Sequence, residues 1–148
     1  MVDTILNDTY FMRMALAEAK KAFDADEVPI GAVIVANGIV LAKTHNMVER
    51  LNDVTAHAEM MAFTAAADHL GGKYLKDCTL YVTLEPCPMC AGASYWTQIT
   101  RIVFGAYDTK RGYKKLASEV LHPTTQITGG IMEEECGMLL SEYFKAKR

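Results

Sequence analysis

Four residues in two short segments of the chain have the types and spacing for metal-assisted chemistry. His57 and Glu59 lie in the first segment, and Cys87 and Cys90 form a Cys-x-x-Cys pair in the second. One imidazole and two thiolates are typical protein ligands of a catalytic zinc ion, which keeps its fourth position open for water. The carboxylate of Glu59 is then free to move protons, so the combination predicts a hydrolysis.

Both segments have the sequence features of helix starts. Pro86 and Pro88 flank Cys87, and an Ala- and Met-rich stretch follows His57. Unpaired N–H groups and the dipole at a helix N-terminus stabilise thiolates. Two thiolates and a neutral imidazole balance the charge of Zn²⁺ and still let it lower the pKa of a bound water to roughly 7. We expect Glu59 to act as general base and then to return the proton as general acid.

Two other interpretations of these residues stay open. A Cys-x-x-Cys pair can be a redox dithiol, although the Trp-Cys context of thioredoxin-like proteins is missing here. His57, Cys87 and Cys90 can also hold a structural zinc ion if a fourth ligand closes the site. The candidates for that ligand are Cys78, Cys136, His45, His69 and His122, and none of them lies at a matching spacing.

The pattern along the chain predicts the elements that position these residues. Amphipathic periodicity with start and stop signals predicts helices over residues 8–23, 56–70, 88–98 and 132–147. Apolar and β-branched runs predict strands over residues 31–36, 39–43, 79–84 and 101–105, and a weaker strand over 126–128. Asn37-Gly38 predicts a hairpin between the first two strands. This order predicts an α/β fold, a three-layer α/β/α sandwich with a central mixed five-stranded sheet.

Composition and charge limit the class of protein. The chain has 148 residues, of which 51% are hydrophobic, and it contains no repeat or linker, so residues 1–148 are expected to form one domain. No apolar run is long enough to span a bilayer, so no membrane partner is expected. Residues 1–4 lack the basic and apolar regions of an export signal, and the four cysteines give no disulfide framework. These features predict a cytoplasmic protein.

The sequence resembles a known family over nearly its whole length. The motif His-x-Glu followed by Pro-Cys-x-x-Cys is the signature of zinc-dependent nucleobase deaminases. Further segments resemble the bacterial tRNA adenosine deaminases: residues 28–33 (VPIGAV), Asn46, 55–59 (TAHAE), 80–87 (LYVTLEPC), 89–93 (MCAGA) and 103–106 (VFGA). The resemblance implies a cytidine deaminase-like fold, one Zn²⁺ per subunit and a homodimer. It also implies hydrolytic deamination of adenosine to inosine at the wobble position (adenosine-34) of a tRNA anticodon stem-loop, with release of ammonia.

The same resemblance implies substrate contacts at individual residues. Asn46 matches a polar contact to the substrate, the Ala58 backbone matches a second contact, and Ile30 and Leu84 match walls of the pocket. Asp108 matches a position that approaches the RNA backbone in the family. Each residue also has an ordinary structural explanation, because Asn46 and Asp108 suit turns and the two apolar side chains suit the core.

Net charge does not by itself predict RNA binding. The formal net charge is -3 and the sequence pI is about 5.8, whereas nucleic-acid-binding proteins usually have a basic surface. Local clusters of basic residues are present, however. The first cluster consists of Lys110, Arg111, Lys114 and Lys115, whose side chains could contact the RNA backbone. Tyr113 lies within this cluster and could stack on a base. The second cluster consists of Lys145, Lys147 and Arg148. Either cluster could equally be a solvated loop or helix end.

Some features favour other substrates or other roles. Pro88 and the pair Tyr95-Trp96 resemble guanine deaminases, and the loop after His122-Pro123 lacks an Asn-His pair that many tRNA deaminases carry. The alternative is therefore a deaminase of a free base or nucleoside, of guanine, cytosine or adenosine type. A catalytically inactive RNA-binding or zinc-stabilised subunit is a further possibility, against which the intact Glu59 argues.

Two aromatic residues on the predicted cysteine-bearing helix are candidates for the homodimer contact. In the dimer that the resemblance implies, this helix packs across the two-fold axis, and Tyr95 and Trp96 are plausible anchors because large aromatic side chains are enriched at interfaces. The alternative is that Trp96 lies in the core of the monomer.

Overall fold

The computed structural model describes residues 4–147, which alternate helices and strands. The elements in chain order are α1 (Thr4–Asp24), β1 (Gly31–Ala36), β2 (Ile39–His45), α2 (Val48–Leu51), α3 (Ala58–Leu70), β3 (Cys78–Leu84), α4 (Pro88–Thr97), β4 (Arg101–Ala106), α5 (Tyr113–Leu116), β5 (Gln126–Thr128) and α6 (Glu133–Ala146).

The strands form one mixed sheet in the order β2-β1-β3-β4-β5. Strand β1 is antiparallel to both β2 and β3, whereas β3, β4 and β5 run parallel to one another. The turn between β1 and β2 has Asn37 at φ 51° and Gly38 at φ 75°, which are the two left-handed positions of a tight hairpin. Because β3 and β4 are parallel, the loops that follow them leave the sheet at the same edge.

Helices cover both faces of the sheet. Helix α3 packs on one face, and α1 and α6 pack on the other. Alternate strand residues point to the two sides, as the period of a strand requires. The α3 side contains Ala32, Ile34, Leu80, Val82, Ile102 and Phe104, and the opposite side contains Val33, Val35, Tyr81 and Val103. Helix α1 lies so close to β1 that a side chain at Gly31 would collide with the backbone of Ala15 and Ala19.

This architecture confirms the predicted three-layer α/β/α sandwich with a central mixed five-stranded sheet. The five predicted strands and four predicted long helices are all present, with ends that shift by a few residues. Helix α1 begins at Thr4 rather than at residue 8, and α3 begins at Ala58 rather than at residue 56. Helices α2 and α5 were not predicted, because four residues are too few to show a helical period.

Some predictions reach beyond the described residues. The prediction that there is no export signal rests on residues 1–4, of which residues 1–3 lie outside the described range, and so does Arg148 of the second basic cluster. Within that range, no helix combines the length and the hydropathy needed to cross a bilayer. The assignment of residues 1–148 to one domain stays a prediction.

Candidate metal and catalytic site

Two helices begin at the candidate site. His57 is the N-cap residue of α3, and Cys87 is the N-cap residue of α4, with Pro88 at the first helical position. Cys90 lies one turn further into α4. The N-terminal N–H groups of both helices therefore surround the same small volume, where they favour thiolates and other anions. Strand β3 ends at Leu84 and delivers the cysteine pair to this edge of the sheet.

The three predicted ligands lie at distances that suit zinc. Nδ1 of His57 is 3.6 Å from Sγ of Cys87 and 3.5 Å from Sγ of Cys90. A tetrahedral zinc ion with ordinary bond lengths separates a sulfur ligand from a nitrogen ligand by about 3.6 Å. The donor set and its spacing therefore fit a zinc ion without rearrangement.

No fourth side chain closes this group within residues 4–147. Among His, Cys, Asp and Glu in that range, only His57, Cys87 and Cys90 form a cluster whose ligand atoms all lie within 4.8 Å of one another. The proposed closing residues of a structural site, which were Cys78, Cys136, His45, His69 and His122, are not part of it. The geometry thus favours a site with an open position over a structural zinc site.

The thiols of Cys87 and Cys90 shift each other's pKa in opposite directions. The hydrogen bond with Cys90, assisted by His57, lowers the pKa of Cys87 to about 4. The same hydrogen bond and burial raise the pKa of Cys90. A divalent cation would bind both sulfurs as thiolates, so the metal affinity of this site is expected to depend on pH.

Glu59 is buried beside the three ligands, with one oxygen left unpaired. The residue is 3% exposed, and its Oε1 is the one buried side-chain nitrogen or oxygen in the described part of the chain without a hydrogen-bond partner. Burial raises the pKa of Glu59 to about 7, and the thiolate of Cys87 adds to this rise. A buried carboxyl oxygen without a partner is costly to the fold, and such groups concentrate at functional sites.

Asn46 and Ala58 are held together next to the ligands. Oδ1 of Asn46, which is 4% exposed, accepts a hydrogen bond of 2.8 Å from the N–H of Ala58, and Oγ1 of Thr44 donates to the carbonyl of Ala58 at 2.7 Å. Asn46 therefore satisfies one of the free N–H groups at the start of α3. The structure brings both predicted contact residues to the site, and their roles toward a substrate stay predictions.

The two predicted pocket walls lie on either side of the same edge. Ile30 precedes β1 and Leu84 ends β3, and each is partly buried. Ile30 packs against the core on the α3 side of the sheet, whereas Leu84 packs against the core on the α1 and α6 side. Both residues thus have core contacts, and their role as pocket walls stays a prediction.

Asp108 and the first basic cluster lie in one segment after β4, which we call the basic loop (residues 107–116). Oδ1 of Asp108 accepts hydrogen bonds from the N–H groups of Lys110 and Arg111, at 3.1 and 2.9 Å, and so forms a turn. Tyr113 is only 5% exposed, so the prediction that it stacks on a base is wrong for this conformation. The four cations of the basic loop, Lys110, Arg111, Lys114 and Lys115, are exposed.

The aromatic pair on α4 is exposed to solvent, whereas one cation of the second basic cluster is paired with an acid. Tyr95 is 39% exposed and Trp96 is 77% exposed, so the alternative that placed Trp96 in the monomer core is wrong. Lys147, in contrast, forms an ion pair with Asp26. The second cluster is therefore partly neutralised at a helix end, whereas the four cations of the basic loop form no ion pair within residues 4–147.

Sequence reasoning missed two buried glutamates that hold loops around the site. The Glu27 carboxylate accepts hydrogen bonds from the N–H groups of Glu49 and Arg50 at the start of α2. The Glu85 carboxylate accepts hydrogen bonds from the N–H groups of Asp108 and Lys114 in the basic loop. The available signal was a lone acid between an apolar run and a proline, since Glu85 lies between Leu84 and Pro86.

Fold and site together define a class of metal-dependent hydrolases in which two helix N-termini meet at the edge of a mixed sheet. The chain belongs to the family described as the cytidine and deoxycytidylate deaminase zinc-binding region, whose model matches residues 6–106. This match confirms the predicted superfamily and the predicted association with zinc.

Individual proteins of known activity are similar to this chain. The tRNA-specific adenosine deaminase of Bacillus subtilis (strain 168) is 44% identical over 146 residues, which cover 95% of this chain and 91% of that protein. A solved tRNA:A34 deaminase, studied for A-to-I editing at the wobble position of transfer RNA, has a TM-score of 0.83 and 42% identity, and the match covers 88% of this chain and 99% of the other. The structure of a guanine deaminase from Bacillus subtilis has a TM-score of 0.67 and 36% identity, with 77% and 76% of the two chains covered. The first two similarities confirm the predicted resemblance and the cytidine deaminase-like fold.

Proposed function

We propose that this protein deaminates adenosine to inosine at the wobble position (34) of a tRNA, with water as co-substrate and ammonia as product. The observation that carries the proposal is the constellation of three zinc ligands beside a buried, unpaired carboxylate oxygen. The substrate assignment is supported by the 44% identity to a tRNA-specific adenosine deaminase over almost the full length of both chains.

His57, Cys87 and Cys90 would hold the zinc ion, one per subunit. When bound, the ion would supply Lewis-acid activation of the attacking water. Glu59 would take a proton from that water and donate it to the ring nitrogen next to the reacting carbon C6, and then carry a proton to the departing amine. Each proton that leaves the water is thereby returned to the substrate or to ammonia. The unpaired Oε1 is the oxygen free to do this.

Two groups of residues would bind the RNA. The flipped adenine would be held at the edge of the sheet beside the zinc ligands. The residues that would contact it are Asn46, the Ala58 backbone, Ile30 and Leu84. The basic loop would bind the phosphate backbone through Lys110, Arg111, Lys114 and Lys115, while Asp108 shapes its turn. An anticodon loop suits such a site because its bases are already unpaired and can enter a pocket at a small unstacking cost.

We also propose a cytoplasmic homodimer formed by a single domain of residues 1–148. The support for the dimer is the exposed pair Tyr95 and Trp96 on α4, the helix that carries both cysteine ligands. Exposed large aromatic residues of this kind are enriched at protein interfaces.

A direct assay tests the substrate. Purified zinc-loaded protein is incubated with an anticodon stem-loop that has adenosine at position 34, and inosine and ammonia are measured. The matched control is the same stem-loop with guanosine at that position. Free adenine, adenosine, cytosine and guanine are assayed in parallel. We expect inosine only from the adenosine stem-loop, and turnover of a free base without turnover of the RNA contradicts the proposal.

The second candidate is a guanine deaminase, which the 36% identity to the Bacillus subtilis enzyme supports more weakly over 77% of this chain. The dependence of substrate affinity on salt concentration distinguishes the two candidate functions. Apparent affinity for a substrate that binds through several phosphate contacts falls steeply as salt rises, whereas a neutral free base is hardly affected. A KM that is insensitive to salt together with ammonia release from guanine favours the second candidate.

A further inference from the structure

Glu85 is a buried carboxylate that lies two residues before the ligand Cys87 and has no part in the proposed chemistry. The residue is 6% exposed. Each of its oxygens accepts a backbone hydrogen bond from the basic loop: Oε1 from the N–H of Asp108 at 3.1 Å, and Oε2 from the N–H of Lys114 at 3.2 Å. The two bonds join both ends of the basic loop to one side chain.

The backbone around Glu85 reinforces this connection. Its own N–H donates to the carbonyl of Ala106 at 2.8 Å, and the carbonyl of Pro86 accepts a hydrogen bond of 2.8 Å from the N–H of Tyr113. Gly112 packs directly against the carboxylate, and a Cβ at that position would overlap Oε2 of Glu85 and the carbonyl of Asp108. The basic loop is therefore closed over the segment that leads into the zinc ligands.

The charges of the basic loop are arranged to stay available. The partners of the Glu85 carboxylate are backbone N–H groups, and in residues 4–147 it forms no ion pair with Lys110, Arg111, Lys114 or Lys115. A buried carboxylate that accepts N–H groups orders a loop without neutralising the cations on its surface. A loop held in one conformation also binds a charged partner more tightly than a mobile one, because less of the binding energy is spent on ordering it.

We propose that Glu85 is a positioning residue that fixes the basic loop relative to the zinc ligands and thereby sets the affinity for RNA phosphates. This inference rests on the proposed function for its substrate. Glu85 is expected to touch neither substrate nor metal. Its removal is expected to weaken RNA binding while the chemical step is preserved.

The test compares Glu85→Gln with the wild-type enzyme on the adenosine stem-loop. The amide cannot accept hydrogen bonds through both ends, so one N–H loses its partner. We expect KM to rise at least about tenfold, the effect of losing one hydrogen bond to a charged group, with kcat within twofold and zinc content unchanged. The matched control is Glu119→Gln, which removes one negative charge from an exposed side chain and should leave KM unchanged.

A double-mutant cycle separates positioning from a general loss of structure. Lys110, Arg111, Lys114 and Lys115 are replaced together by alanine, and Glu85→Gln is then added. If Glu85 acts through these cations, the added substitution leaves KM unchanged. A rise in KM of the same size in both backgrounds, or a fall in kcat with KM unchanged, overturns the proposal.

A second measurement does not depend on the substrate. Hydrogen exchange at the N–H groups of Asp108 and Lys114 should become faster in zinc-loaded Glu85→Gln, while the N–H of Ala58 in α3 stays protected. Gly112→Ala approaches the same contact from the loop and should reproduce both the faster exchange and the raised KM. If the wild-type enzyme fails to act on the stem-loop, the proposed function is wrong but the exchange experiment still tests the loop contact. Unchanged exchange in both variants overturns it.

Discussion

Two buried carboxylates at opposite ends of the sheet differ in how their oxygens are satisfied. Asp8 is 2% exposed and Glu59 is 3% exposed. Asp8 accepts two hydrogen bonds from the Arg101 guanidinium, at 2.8 and 2.7 Å, and a third from the hydroxyl of Tyr81 at 2.9 Å. Glu59 instead has an oxygen with no partner and lies against three metal ligands.

The difference shows which buried charge serves the fold and which serves chemistry. The Asp8 cluster joins α1 to β3 and β4, and its charge is fully paired, so it fixes the relative positions of these elements. Glu59 makes no comparable connection through its Oε1 and stays available for a proton. A burial pattern alone does not distinguish the two residues, whereas the pairing of their oxygens does.

The largest expected effect comes from removing a metal ligand. Cys87→Ala leaves one thiolate and one imidazole, so we expect zinc to be lost on purification and activity to fall below detection. The variant should also have a lower Tm, because the metal joins the starts of α3 and α4. Zinc content by elemental analysis, Tm and turnover check this prediction. Retention of a full equivalent of zinc would contradict the ligand assignment.

Glu59→Gln should separate activity from stability. We expect kcat to fall by about 10²–10⁴, the range for loss of a general acid-base residue, with zinc retained and Tm unchanged or higher. The stability is expected to hold because the substitution removes a buried carboxyl group with one unpaired oxygen. Turnover, zinc content and thermal unfolding are measured on the same sample. A kcat within tenfold of the wild-type value contradicts the role of Glu59.

Asp8→Ala should show the opposite behaviour. It leaves the Arg101 guanidinium partly buried without its partner, so the free energy of unfolding should fall by about 3–5 kcal/mol. Turnover per folded molecule should change little at low temperature, because the cluster is remote from the zinc ligands. Asp24→Ala, at an exposed position of the same helix, is the matched control and should shift stability by no more than about 0.5 kcal/mol. Loss of zinc in Asp8→Ala would contradict the conclusion that the Asp8 cluster serves the fold and not the metal site.

The smallest effect concerns the pH dependence of a third buried carboxylate. Burial alone would raise the pKa of Glu18, but hydrogen bonds from Lys21 and His45 outweigh it and lower that pKa. The unfolded chain therefore binds a proton at this site at a higher pH than the folded protein does. The stabilisation is present above pH about 4.5 and is lost as pH falls through the lower folded value. Glu18→Gln should flatten the acid side of the stability curve in urea unfolding from pH 6 to 3, and an unchanged slope contradicts this account.

The zinc ligands and the sheet could be predicted because their signals are local. The spacing within His57-x-Glu59 and Cys87-x-x-Cys90 carries the chemistry, and the apolar, β-branched runs of β1 and β3 predict strands that are buried on both faces. The hairpin at Asn37 and Gly38 was equally readable, since only a few residues adopt two consecutive left-handed conformations.

The polar pairings could not be predicted because their partners are distant in sequence. Asp8 reads as an early helix residue, yet its partners Tyr81 and Arg101 are 73 and 93 residues away. Glu85 and the basic loop are related in the same way. Tyr113 was misassigned because the cations around it suggested an exposed segment, whereas α5 turns its ring into the protein.

The zinc ligands lie at the starts of two helices, α3 and α4, and strand β3 lies between these helices in the chain. His57 precedes α3, and the cysteine pair follows β3, so 30 residues separate His57 from Cys87. The relative position of the three ligands therefore depends on the pairing of β3 with β1 and on the packing of α3 against the sheet. Metal affinity and tertiary packing are thereby linked, so any change that loosens α3 from the sheet is expected to weaken zinc binding as well.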